Sequence, residues 1–100
     1  MVFAPIRRFI VEGDSMLPTY ANGDLVFALR GNKAHVGQVR VFPHPYNPEM
    51  WLVKRVASLR GDQMTVSSDN ATVTRADSRE FGHLPIEGTY RVIGHIRARG

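Results

Sequence analysis

The sequence predicts a mainly-β, compact antiparallel domain with one short helical turn. Three observations carry this: short β-prone runs recur along the chain, Gly and Pro turns punctuate them, and helical periodicity is weak everywhere. Residues 8–11 are β-prone and end at Gly13. Residues 25–29 follow the turn signal Asn22-Gly23-Asp24. Residues 38–42 alternate polar and apolar side chains with the period of two that marks a half-buried strand. That run stops at Pro43, and the prolines of residues 44–48 read as a loop. Residues 50–57 form the strongest strand, Gly61-Asp62 turns the chain into residues 63–66, and residues 90–96 give a last strand. The best helical candidate is a short turn beginning at Ser15, which Pro18 can enter because proline is tolerated in a helix's first turn.

One hundred residues make a single domain, residues 1–100, and 43% apolar content fills one compact core but not two. The absence of cysteine excludes disulfides, thiolate metal sites and a cysteine nucleophile. The longest unbroken apolar run is residues 25–29, far short of the ~18 to 20 residues that span a bilayer. No apolar stretch follows the arginines of residues 1–8, so they do not read as a signal peptide. A soluble, cytoplasmic chain without a membrane anchor is the expectation. Formal net charge is +4, and eleven of the thirteen basic residues are arginine, leaving Lys33 and Lys54. The arginines are scattered rather than blocked, which reads as a solvated surface, and nucleic acid is not an expected partner.

Chemistry concentrates in three segments. In the first, Gly13-Asp14-Ser15-Met16-Leu17-Pro18-Thr19, a strand enters a glycine, a serine and then a turn. Such a bend exposes a hydroxyl beside backbone amides that lack internal partners, the ingredients of an oxyanion hole. Taken alone, this segment reads first as a helix N-cap at Ser15. A nucleophilic serine needs a base, and none of His35, His44, His83 and His95 has a local acid partner that singles it out. Their spacing gives no metal-ligand pair, so no metal or other cofactor is assigned. In the second segment, strand alternation puts Lys54 on the face of Leu52 and Val56, and Arg55 on the face of Trp51 and Val53. Desolvation on an apolar face lowers a lysine pKa, and an amine brought to ~7 to 8 serves as a general base at neutral pH. Arginine cannot do this. A lysine on an edge strand that discourages aggregation fits the same position. In the third segment, Asp77-Ser78-Arg79-Glu80-Phe81-Gly82, Asp77 and Arg79 can join Arg55 in an ion-pair network beside Lys54.

Taken in order, these segments resemble the signal peptidase I family of serine/lysine proteases, the S26 peptidases. Val11 to Thr19 with Gly23-Asp24 looks like the nucleophile box, and Val53-Lys54-Arg55-Val56 with Gly61-Asp62 like the lysine box. Ser68-Asp69-Asn70 with Asp77 to Gly82 is similar to the downstream box, and Ile86-Glu87-Gly88 through Ile93-Gly94 to the closing strand. The resemblance implies a serine endopeptidase in which Ser15 attacks the scissile carbonyl and neutral Lys54 takes its proton. It implies that the Ser15 amide contributes to an oxyanion hole. Met16, Gly13 and the strand before Ser15 would line a groove for an extended substrate. Arg55, Asp77 and Arg79 would be structural.

The sequence departs from the family in four places. Gly13 stands where some relatives carry a second hydroxyl donor to the oxyanion. Arg75 stands where some carry a serine that orients the lysine, leaving Ser78 or a main-chain carbonyl for that task. Fourteen residues precede Ser15 and form no anchor, and the large extra β domain of the membrane enzymes is missing. A short, anchorless version resembles the nickel-type superoxide dismutase maturation proteases, implied to remove an N-terminal propeptide from the dismutase precursor. Three rivals stay in view: signal-peptidase-like processing of secreted preproteins, a self-cleaving repressor-type protease, and a non-catalytic basic β module that binds nucleic acid.

Overall fold

The computed structural model describes residues 6–73 and 78–98. The elements are β1 (Ile6–Ile10), β2 (Leu25–Arg30), β3 (Val39–His44), β4 (Asn47–Arg60), β5 (Gln63–Ser67), α1 (Ser78–Phe81), β6 (Leu84–Pro85) and β7 (Tyr90–Ile96). The seven strands form one antiparallel sheet in the order β1-β2-β7-β3-β4-β5-β6. The mainly-β antiparallel class read from the sequence is therefore what the chain adopts.

The sheet is covered on both faces. On one side Phe9, Val11, Met16, Tyr20, Val26, Ala28, Val39, Val41 and Tyr90 make a core, with Trp51, Val53 and Val92 packed against it. On the other, Phe42, Val56, Met64, Val66, Leu84 and Ile86 make a second, smaller one. Strand alternation assigns each residue its side: Val39 and Val41 enter the first core, and Phe42 enters the second. Residues 38–42, expected to be half-buried, are thus buried on both faces from Val39 to Phe42. The alternation misleads because Arg40 is not a solvated residue. It is fully buried, and Thr89, Gln38, Gly31 and Lys33 supply neutral acceptors to its guanidinium.

Several boundaries differ from the sequence reading. The loop expected over residues 44–48 is a two-residue turn at Pro45-Tyr46, closed by the pair His44↔Asn47. β3 runs through Pro43 because β7 pairs it only at Arg40 and Val41, and a strand tolerates proline where an edge is unpaired. β4 is longer at both ends than residues 50–57. The Gly61-Asp62 hairpin stands as expected, with Gly61 at φ +60 where L side chains are strained. The helical turn at Ser15 is a run of hydrogen-bonded turns rather than an α-helix. Leu17 N–H donates to the Asp14 carbonyl (3.2 Å) and Tyr20 N–H to the Met16 carbonyl (2.9 Å), with a cis bond between Leu17 and Pro18. The short helix α1 lies elsewhere, and it and β6 had no counterpart in the sequence reading.

β4 changes neighbours along its length. Its first part pairs with β3 up to Arg55, and its second pairs with β5 from Arg55 onward. Lys54 is the last residue before that handover. The second core hangs on this hairpin, and Met64 is 0% exposed within it. Met64→Ala is expected to cost about 2–5 kcal/mol, read as a lower midpoint in urea unfolding, because it removes a fully buried side chain from that core.

Candidate active site

Three local constraints shape the segment after β1. Val11 is buried, its N–H donates to the Asp24 carbonyl (2.8 Å), and its own carbonyl accepts from Gly23 N–H (2.7 Å). Gly13 sits at φ +79, and its N–H donates to Asn22 Oδ1 (2.8 Å). Met16 and Tyr20 then bury their side chains in the first core and pull the turn against the sheet. Ser15, just ahead of them, is left half-buried. Asn70 pins the turn from outside: its N–H donates to the Ser15 carbonyl (2.9 Å), and its Nδ2 to the Asp14 carbonyl (3.0 Å). The described residues offer no acceptor to the Ser15 amide.

Lys54 arrives from β4, 2% exposed. Ser15 and Lys54 border the same small pocket, which Val11, Met16, Leu52 and Val53 also line. Sequence positions 15 and 54 are thus brought together, and Met16 joins them. Gly13 is exposed and outside that lining, with its amide engaged by Asn22. Lys54 Nζ lies 2.9 Å from Ser68 Oγ in a hydrogen bond. The direct cross-strand partner of Lys54 is Arg40, which is likewise buried.

Arg55 points to the other face of β4. Its Nε and Nη2 grip Asp69 Oδ1 and Oδ2, both at 2.7 Å, and its Nη1 donates to the Gly37 carbonyl at 2.7 Å. Thr19 Oγ1 donates to the same carboxylate at 2.6 Å. The Arg55 hydrogen bonds, aided by that from Thr19, hold the Asp69 carboxyl below the usual range against the opposing pull of burial. The network expected around Arg55 therefore includes Asp69. Asp77 and the side chains of Ser78 and Arg79 lie outside the described residues.

Sequence reasoning grouped Ser68-Asp69-Asn70 as one box but gave its members no tasks. Each now has one: Ser68 meets Lys54, Asp69 meets Arg55 and Thr19, and Asn70 holds the backbone of Ser15. The signal was the tripeptide itself, with three side chains able to hydrogen-bond in a row.

The family model of signal peptidases, peptidase S26, matches residues 1–80. The chain belongs to the S26 peptidase family. That family is the one of the signal peptidases. Two relatives are mitochondrial inner membrane protease subunit 1 of Xenopus tropicalis, 32% identical over 79% of this chain, and mitochondrial ATP-independent inner membrane protease subunit 1a of Arabidopsis thaliana, 33% identical over 78% of it. This S26 chain spans 50% of the length of the first and 64% of the second. Among the described residues, no helix is long and apolar enough to cross a membrane.

The Asp69 fork predicts an acid-sensitive tether. With its carboxyl held low in the folded state, the stabilisation is fully present above about pH 4 and is lost as pH falls through the depressed folded value. Asp69→Asn should therefore be less stable than wild type at neutral pH. Urea unfolding at a series of pH values should show that gap constant from pH ~7 to ~5 and shrinking below ~4.

Proposed function

We propose that this S26 peptidase is an endopeptidase with Ser15 as nucleophile and Lys54, as the neutral amine, as general base. The observation that carries the reading is the single pocket bordered by a half-buried serine and a buried lysine. In this scheme Lys54 Nζ takes the proton of Ser15 Oγ as the oxygen attacks the scissile carbonyl. The Ser15 amide donates to the developing oxyanion. Lys54 then passes its proton to the departing amine, leaving an acyl-serine. Water, deprotonated by Lys54, attacks that ester, releasing the new carboxylate and restoring Ser15. Ser68 holds Nζ in place through both halves of the cycle.

The substrate seats as an extended chain. β1 pairs only with β2, and β4 before Arg55 pairs only with β3. Two unpaired strand edges therefore flank a cleft lined by Phe9, Ile10, Glu12, Met50, Trp51 and Val53, which adjoins the Ser15 pocket. Main-chain hydrogen bonds to such edges bind a peptide with little regard for its sequence. The partner we propose is a precursor protein whose N-terminal propeptide is removed, with nickel-type superoxide dismutase precursor as the substrate and the cytoplasm as the place. Signal-peptidase-like processing of secreted preproteins is the second reading, favoured by the likeness to the inner membrane proteases.

Mass-spectrometric cleavage of a nickel superoxide dismutase precursor tests both levels. Wild type should release the propeptide, whereas Ser15→Ala and Lys54→Arg should not, although the arginine keeps the charge. Ser68→Ala should retain activity but lose roughly 10- to 100-fold in kcat, the scale of a misplaced general base. The wild-type rate should rise with pH as Lys54 loses its proton. Cleavage by Ser15→Ala would remove Ser15 from the mechanism. Failure on this precursor with success on a secreted preprotein would move the substrate while keeping the dyad.

A further inference from the structure

A second cleft, of about 280 Å³, opens between the end of β2, residues 31–35 and the start of β7. Arg30, Lys33, His35, Arg40 and Arg91 line it, with no Asp or Glu among the lining residues. None of its lining residues borders the Ser15 pocket. Arg40 forms the floor at 0% exposure. Its Nε donates to Thr89 Oγ1 (2.8 Å), Nη1 to the Lys33 carbonyl (3.4 Å) and Gln38 Oε1 (3.3 Å), and Nη2 to the Gly31 and Thr89 carbonyls. Every one of these acceptors is neutral, so the guanidinium is hydrogen-bonded but its charge is not balanced.

The register sharpens the point. Arg40 stands directly opposite Arg91 across β3 and β7, and like charges directly opposite are destabilising. Burial and the charge of Arg91 both pull Arg40 below its ordinary value. Arg30, Lys33 and Arg91 are exposed at the rim, and no salt bridge engages them among the described residues. The contrast with Arg55, clamped by Asp69, is direct. A local charge conflict that the fold does not relieve marks a place where something else does.

We infer that this cleft binds an oxyanion of the phosphate class, with Arg91, Arg30 and Lys33 donating to its oxygens above the fixed charge of Arg40. Forked guanidinium donors suit such an anion, and the bound charge removes the Arg40–Arg91 repulsion. The phosphate comes either free in solution or on a lipid headgroup. This inference is independent of the proteolytic reading.

Calorimetric titration and thermal unfolding of the full chain with inorganic phosphate, at ionic strength held constant with sodium chloride, test it. Phosphate should bind saturably and raise Tm, and chloride should do neither. Arg91→Gln should weaken phosphate binding about tenfold, the loss of one charge-assisted hydrogen bond. Its phosphate-free Tm should equal or exceed wild type, because the repulsion is gone; a purely structural arginine would lower it. Lys33→Gln, on an exposed loop, should weaken binding without changing the phosphate-free Tm. A non-saturating response, an equal response to chloride, or wild-type affinity in both variants overturns the site, as does saturable binding of polyglutamate where phosphate has no effect. Cosedimentation with phosphatidylcholine vesicles, with and without phosphatidate, then separates the sources. Retention on phosphatidate that free phosphate releases upholds the site with a headgroup ligand; saturable phosphate binding without retention upholds it with a soluble one.

Discussion

The candidate site depends on one carboxylate. Asp69 receives both prongs of Arg55 from β4 and the hydroxyl of Thr19 from the turn after Ser15. It therefore joins the strand that carries Lys54 to the turn that carries Ser15. Its neighbours in sequence work in the same direction, Ser68 on the amine and Asn70 on the Ser15 carbonyl. An exposed ion pair is ordinarily worth little. This one is bidentate, has a third donor, and its carboxylate side chain is only 14% exposed, which makes it a geometric tether. The first core already brings the two segments together, through Met16 and Tyr20 of the turn and Trp51 and Val53 of β4, and the tether adds polar, directional links to that packing.

Packing supplies the second constraint. Met16 and Tyr20 bury in the first core and hold the turn against the sheet, while Ser15 stays half-buried. Lys54 has the opposite fate, carried into the interior by a strand whose neighbours Leu52 and Val56 pack in or against the second core. A hydroxyl and a buried amine that border one pocket are what the proposed serine/lysine mechanism uses. Burial of a charged amine carries a desolvation cost, and Lys54 is 2% exposed.

Much of this was legible in the sequence, and the failures have physical causes. The strand at residues 90–96 and the hairpin at Gly61-Asp62 were readable because β-branched runs and a glycine turn act locally. The Ser15 and Lys54 segments were readable because each residue type was unusual in its setting. The tight turn at Pro45-Tyr46 was not, since whether a proline interrupts a strand depends on which edge lacks a neighbour, and that is decided by β7 from the far end of the chain. Arg40 was illegible for the same reason. Alternation marks it as solvent-facing, yet its acceptors come from Gly31, Lys33 and Thr89, and only tertiary structure brings these together. The tasks of Ser68, Asp69 and Asn70 likewise depend on partners 14 to 56 residues away.

The register also places three cations in one row across the sheet, Arg91 on β7, Arg40 on β3 and Lys54 on β4. Like charges directly opposite are unfavourable in a sheet, and two of these three side chains, Arg40 and Lys54, are buried. The arginines cannot shed their protons, and every acceptor around Arg40 is neutral. The anion proposed above would relieve the Arg40–Arg91 pair from the outer end of the row, without touching the pocket that Ser15 and Lys54 border.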